Sequence, residues 1–303
     1  MDPEGQSIWN GLTGFCSDCT VLYGSTYLSD VNGRRLEAKD GAYLHHSLVR
    51  PLSRLERPFW TCSEEGKPAS KPMLSTSFFL AGSVETGDHW FTSTDGKSNS
   101  GYYLPKNSVY ILQAEAINFK KTPQDWYVAA EIEYVPAKPS GLEVVTLAGI
   151  SVSTCDSFSP TGSVYKPPKG AKQFNMTSPK FTMDRDLTLM RAVGHIHEGG
   201  VHNTLLLNDK LICKSDTVYG GSKVTFNREG GEKWESVSHM TPCEEPVQIK
   251  TGDVLRMTTY YDLDAHPIRQ AHSHGQGSDE GEAMGMFSLF LAENEKDSRR
   301  FGS

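Results

Sequence analysis

Ten histidines stand in this chain of 303 residues, and their spacing is uneven. His45 and His46 are adjacent in Ala42-Tyr-Leu-His-His-Ser-Leu-Val49, inside an apolar stretch. Neighbouring residues of a strand face opposite sides, so both imidazoles reach one ion only at a twist, a bulge or a strand end. His195 and His197 form an H-x-H pair in Gly194-His-Ile-His-Glu-Gly-Gly-Val-His202. On a strand that spacing turns both rings to one face, which is how a β protein presents two nitrogen ligands. A core histidine satisfied by its neighbours is the plainer account of any one of them. The order HH, then H-x-H, then Met284 favours a metal scaffold, because imidazole plus thioether suits copper. His202 lies beyond Gly199-Gly200, and His266, His272 and His274 cluster in a polar, glycine-flanked segment where His272 and His274 read as solvated.

Other chemistry is thinly represented. There is no G-x-G-x-x-G after a strand, no phosphate loop and no G-x-S-x-G elbow. Glu131 and Glu133 resemble paired carboxylates, but i, i+2 on a strand is more often a solvated face. Arg191 precedes the H-x-H pair and could meet an anionic oxygen, with a surface ion pair as the simpler role. Trp90, Tyr102, Tyr103, Trp126, Tyr127, Tyr260 and Tyr261 could stack on a flat substrate, with core or sheet-edge packing as the alternative. Lys+Arg of 30 against Asp+Glu of 37 gives a formal charge of −7, which excludes the basic footprint of a nucleic-acid or anionic-membrane surface. No apolar run approaches the roughly 18 residues of a spanning helix.

The elements that must position these residues are strands. Ser108–Ile117 and Trp126–Val135 read as two strands joined by the polar turn Lys120–Asp125. Leu142–Val152, Val247–Tyr261 and Met284–Ala292 read as further strands. Asn208-Asp209 divides Val201–Cys213 as a hairpin turn would. Helical periodicity of ten residues is absent. A Ser-, Pro-, Gly- and Lys-rich stretch over 157–179 divides the chain, so we expect an all-β protein of two tandem jelly-roll-like sandwiches, 1–156 and 180–303, with a cleft between them.

Cys16, Cys19, Cys62, Cys155, Cys213 and Cys243 are even in number. Cys16-Ser-Asp-Cys19 without a second pair is weak evidence for zinc, so disulfides are expected over free thiols. Asn175-Met-Thr177 is an N-glycosylation sequon. Together these point to the secretory pathway. No apolar segment follows Met1-Asp-Pro-Glu-Gly, so a signal peptide is not expected within this sequence.

At this level the chain resembles the copper type II, ascorbate-dependent monooxygenases. Leu44-His45-His46-Ser-Leu is similar to their HH strand, Gly194-His195-Ile-His197 to their H-x-H strand, and Glu282-Ala-Met284-Gly-Met-Phe to their Met strand. The resemblance implies copper at His195, His197 and Met284. It also implies a third histidine in the first domain, on a segment resembling Trp126–Tyr134, where Glu133 stands instead. A carboxylate there hardens the site and disfavours Cu(I). Gly194–Val201, Leu207–Cys213 and Asp262–Pro267 look closer still to a fungal secreted branch of this scaffold that commonly lacks the third histidine. That branch implies a non-redox cyclase of the hetero-Diels–Alderase kind, joining a tropolone quinone methide to a humulene-type alkene. Such an enzyme would need no cofactor and would take hydrophobic small molecules. His45, His46, Glu133, Arg191, His195 and His197 would serve catalysis; Trp90, Tyr103, Trp126, Tyr127, His202, Tyr260 and Tyr261 would line the substrate. The alternatives are a copper monooxygenase and a secreted copper-binding protein without turnover.

Overall fold

The computed structural model describes residues 5–37, 40–52, 58–64, 68–69, 78–83, 87–93, 97–118, 120, 122–155, 164–220, 226–227, 233–234, 237–268 and 283–293. Among them there are strands and turns and no α-helix. The first half holds β1 (Gly5–Leu12), β2 (Cys19–Ser29), β3 (Arg35–Leu36), β4 (Ala42–Pro51), β5 (Trp60–Ser63) and β6 (Leu80–Gly82). It continues with β7 (Asp88–Trp90), β8 (Ser100–Leu104), β9 (Tyr110–Asn118), β10 (Tyr127–Pro136) and β11 (Glu143–Ser151). The second half begins with β12 (Val164–Tyr165), β13 (Gln173–Thr177), β14 (Lys180–Met183), β15 (Leu187–Ile196), β16 (Gly200–Leu207) and β17 (Lys210–Tyr219). It ends with β18 (Phe226–Asn227), β19 (Lys233–Trp234), β20 (Val237–Met240), β21 (Val247–Ile249), β22 (Val254–Asp262) and β23 (Ala283–Glu293). His272, His274 and Glu282 lie outside the described residues.

Three large sheets form layers. The first runs β1-β9-β4-β6, the central one β10-β2-β8-β11-β23-β15-β21, and the third β20-β17-β16-β22-β14-β5. The central sheet crosses the divide expected at 157–179, because β11 pairs along its length with β23, which also pairs with β15. In the other direction β5 leaves the first half to pair with β14 in the third sheet. Within the expected linker, β12 joins β23 and β13 joins β22. Strands from both sides of the 157–179 stretch therefore share the central and third sheets.

Side-chain alternation explains the shared layer. Val145 and Leu147 of β11, with Phe290 and Ala292 of β23, enter the core beneath the first sheet. Ala148 and Ile150, with Phe287, Leu289 and Leu291, enter the core beneath the third. Strands buried on both faces read as continuous apolar runs, which is how these two segments look in the sequence.

The strands expected over 108–117 and 126–135 are present as β9 and β10, but they are not partners. β9 pairs with β1 and β4, and β10 with β2, so their connection passes between sheets. Asn208 and Asp209 do form a tight hairpin turn, with φ of 50° and 63°, between β16 and β17. Positive φ at both central residues is the type I′ geometry that matches strand twist and favours Asn and Asp.

All six cysteines are paired, as Cys16–Cys19, Cys62–Cys155 and Cys213–Cys243. Cys62–Cys155 joins β5 to the segment just past β11 and spans 93 residues, against 3 for Cys16–Cys19. Constraint of the unfolded chain grows with loop length. Replacing Cys62 and Cys155 by Ala is therefore expected to cost about 2–4 kcal/mol, more than the Cys16/Cys19 pair, as read from urea unfolding midpoints.

One core histidine is independent of the candidate site. His89 of β7 is 2% exposed and packs near Phe91 and Phe290. Its Nε2 accepts from the Ala81 amide at 3.1 Å. Burial, and then the Arg191 guanidinium, push it down to about 4. The unfolded chain takes up this proton near 6.5 and the folded chain does not, so stability is full at pH 7 and falls as pH drops from about 6.5 to about 4. His89 should account for about 3 kcal/mol of that fall. Urea unfolding at several pH values should show His89→Gln losing this share of the slope.

Candidate metal centre

The first donor set comes from β4 and β9. These strands pair with Leu44 opposite Ala116 and then His46 opposite Glu115, leaving an extra residue on β4 at His45. This is a β-bulge, one of the devices that lets adjacent residues turn to the same place. His45 Nδ1 lies 3.7 Å and His46 Nδ1 4.0 Å from the same Glu115 oxygen, Oε2. One ligand atom from each of the three residues falls within a 4.8 Å span. Glu115 is buried to 8% exposure, between Ala114 and Ala116 on β9. Burial, followed by the neighbouring imidazoles, holds His46 neutral, pushed down to about 4, with Glu115 acting in the opposite direction. A neutral imidazole is the form that ligates metals.

The second set comes from β15 and β23. His195 pairs with Met286 and Ile196 with Gly285. Just past β15, the His197 amide donates to the Met284 carbonyl at 3.4 Å. Directly paired residues share a face, so His195, His197, Met284 and Met286 all lie on one side of the central sheet. Ile196, Gly285 and Phe287 lie on the other. The Asn203 amide, fully buried on β16, donates to the His195 carbonyl at 3.1 Å and the Met286 carbonyl at 3.0 Å. The Tyr261 hydroxyl donates to the Met284 carbonyl at 2.8 Å and accepts from its amide at 3.0 Å. Gly285 allows this close packing: a Cβ there would stand 2.0 Å from Thr259 Oγ1.

The two sets meet. The His45 and His197 ring centroids are 6.4 Å apart, against 5.2 Å for His45–His46 and 5.7 Å for His195–His197. Four imidazoles, the Glu115 carboxylate and the methionine face thus converge where the first sheet covers the central one.

Other residues singled out from the sequence lie elsewhere. Glu133 is exposed on β10 opposite Tyr23, and the carboxylate that meets the histidine pair is Glu115. β9, and not the β10 segment that resembles the third-histidine strand, runs beside β4. A lone acid in the apolar run Gln113-Ala-Glu-Ala-Ile117 was the available signal for Glu115, and the repeat of Met at 286 that for a second thioether. Arg191 shares the face of His195 but is engaged with Glu244 at 3.6 Å and lies over the Phe290 ring.

The aromatic residues do not line one surface. Tyr102 is in the core, and Tyr261, 3% exposed, stacks on Phe174 besides bracing Met284. Trp90 packs on Tyr23. Tyr103 donates to Asp18 at 2.7 Å, and Trp126 packs against the small cluster of Leu28, Leu44 and Ala116. Tyr127 is exposed on β10. His202 stacks on Tyr260, with centroids 4.3 Å apart, and His266 on Tyr219, at 3.6 Å.

The chain is similar to two curated fungal proteins. It is 26% identical, over 82% of its length and 58% of the relative's, to the "Probable copper-dependent oxygenase M1" of a Phoma strain. It is 25% identical, over 78% of its length and 69% of the relative's, to the "Probable copper-dependent oxygenase clz3" of Cochliobolus lunatus. The chain thus spans somewhat over half the length of the first. The family model described as stress up-regulated Nod 19 matches residues 164–293. A solved structure of PNGF-II covers 95% of this chain and 60% of its own, at 13% identity and a TM-score of 0.41. Both relatives carry names of copper-dependent oxygenases, and the resemblance of the histidine and methionine motifs points the same way.

Asn203 makes the methionine-side set testable without touching a donor. Asn203→Ala should remove both of these buried hydrogen bonds, which supplement the β15–β23 ladder, and cost about 2 kcal/mol. Thermal unfolding measures that loss, and weakened Cu(I) binding should accompany it.

Proposed function

We propose that this chain is a secretory-pathway copper enzyme that oxidises small, largely apolar molecules, with copper held by His195, His197 and Met284. The observation that carries the reading is the pairing of β15 with β23, which sets two imidazoles and a thioether on one face beside the His45 ring. Two nitrogens and a sulfur make a soft set suited to Cu(I). Bound copper would supply one-electron chemistry toward dioxygen. The protein's own part is positional: Asn203 and Tyr261 fix the two strands, and the bulge at His45 brings the first donor set against the second. The three disulfides fit an oxidising compartment, and no helix is long and apolar enough to cross a membrane among the described residues. The similarity to proteins named copper-dependent oxygenases supports the same reading.

A second reading uses the same cluster without metal. Glu115 between two imidazoles is an acid–base trio, such as dehydration to a quinone methide followed by cycloaddition would use. On that reading the protein is a cyclase of the hetero-Diels–Alderase kind, acting on a tropolone-derived quinone methide and a humulene-type alkene.

Titration of the metal-stripped chain with Cu(I) against a chromophoric competitor separates the two. We expect one equivalent bound with high affinity, at least tenfold weaker binding in His195→Ala/His197→Ala, and ascorbate-fuelled oxygen uptake only with copper present. Copper affinity unchanged by that double substitution would sink the copper reading. Cycloaddition by the metal-free protein would establish the second.

A further inference from the structure

The two donor sets differ in kind, and the difference has a consequence for which ion each holds. His45, His46 and Glu115 are two imidazoles and one carboxylate; His195, His197 and Met284 are two imidazoles and one thioether. We propose that His45, His46 and Glu115 form a separate site for a divalent ion of the iron(II) class, selective against Cu(I). The proposal stands whether or not the methionine-side set holds copper.

Geometry supports a single ion. The three ligand atoms lie within 4.8 Å of one another, and both Nδ1 atoms face the same carboxylate oxygen at 3.7 and 4.0 Å. Bonds of about 2.1 Å space two donors of one ion roughly 3.0–3.4 Å apart, so small side-chain movements of under about 1 Å close the set. The donors are carried by strands and not by loops. The bulge on β4 supplies both imidazoles, and the β9 pairing supplies the acid opposite His46. The His197 ring centroid lies 6.4 Å from that of His45.

Donor chemistry decides the ion. Two histidines and one carboxylate on one side of a metal, with positions left open, are the arrangement that selects non-haem iron(II). The carboxylate is a hard anionic oxygen, and it strengthens the hold on a doubly charged ion more than on a soft, singly charged one. Cu(I) gains instead from soft nitrogen and sulfur donors, which the other set provides. Burial of Glu115 sharpens the contrast, because a nearly dry carboxylate is favoured by a close divalent charge. Cu(II) is a separate matter, since it outcompetes most divalent ions at any nitrogen site. The discrimination therefore concerns reducing conditions, where copper is Cu(I).

The test uses the full chain carrying His195→Ala/His197→Ala, which silences the methionine-side set. The metal-stripped protein is titrated anaerobically with iron(II), and separately with Cu(I), each against a chromophoric competitor. One equivalent of iron(II) is expected, with Cu(I) held at least tenfold more weakly. Glu115→Gln keeps the shape and removes the charge, and should weaken iron(II) binding at least tenfold. Glu115→His should reverse the order and raise Cu(I) affinity at least tenfold. Far-UV circular dichroism and thermal unfolding establish that each variant is folded, and the Gln variant decides the matter if the His variant is not. Absence of iron(II) binding, Cu(I) bound more tightly than iron(II) before Glu115 is changed, or an iron(II) affinity indifferent to Glu115→Gln would each overturn the proposal. The iron(II) outcomes do not involve His195 or His197, both replaced in the variant tested, and the copper reading is tested separately by whether that double substitution weakens Cu(I) binding.

Discussion

The structure depends on β23 being apolar on both faces. Phe287, Leu289 and Leu291 fill one core and Phe290 and Ala292 the other, while the backbone hydrogen-bonds to β11 on one side and β15 on the other. Full burial of such a side chain contributes about 1.5–3 kcal/mol, a sizeable share of a typical total stability of about 5–15. The same strand decides where chemistry occurs. Toward its N-terminal end the face that carries Phe290 continues through Ser288 to Met286 and Met284, leaving the core and meeting the histidines. The candidate metal centre thus sits at the end of a core face, and Met284 and Met286 need no separate element to place them.

That continuity also accounts for what could and could not be read from the residues. Strands with strong local signals, such as Leu142–Val152, Met284–Ala292 and the Asn208-Asp209 hairpin, were legible because turn chemistry and apolar runs are local properties. The i, i+2 spacing of His195 and His197 fixed their common face for the same reason. The partner of a strand is not a local property. Nothing in the polar turn at 120–125 says that β9 and β10 belong to different sheets, so local pattern points to Glu133 while the acid beside the histidine pair is Glu115. The stretch over 157–179 has a linker's composition, yet parts of it are short strands on β22 and β23, whose edges lie far along the chain. Aromatic residues gave the least. A tyrosine that stacks on substrate and one that braces a backbone, as Tyr261 braces Met284, have the same sequence signature.

The histidine pair shows how a local irregularity can carry a site. In a regular strand His45 and His46 would diverge, one imidazole toward the central sheet and one away. The extra residue on β4 removes that divergence and adds no loop. Support is similarly distributed on the other side, where Asn203 holds the carbonyls of His195 and Met286 and Tyr261 holds Met284.

Donors held in this way have little freedom to rearrange around different ions. In a flexible site, an unfavourable ligand can swing away and water can take its place. Here Glu115 is buried on a strand paired on both sides, by β1 and β4, so its backbone is fixed and its carboxylate is largely withdrawn from water. Selectivity must then come from donor type more than from adaptation of the cage. A hard set and a soft set placed with their rings about 6 Å apart would sort two kinds of ion by chemistry alone, with the strand framework unchanged in either case.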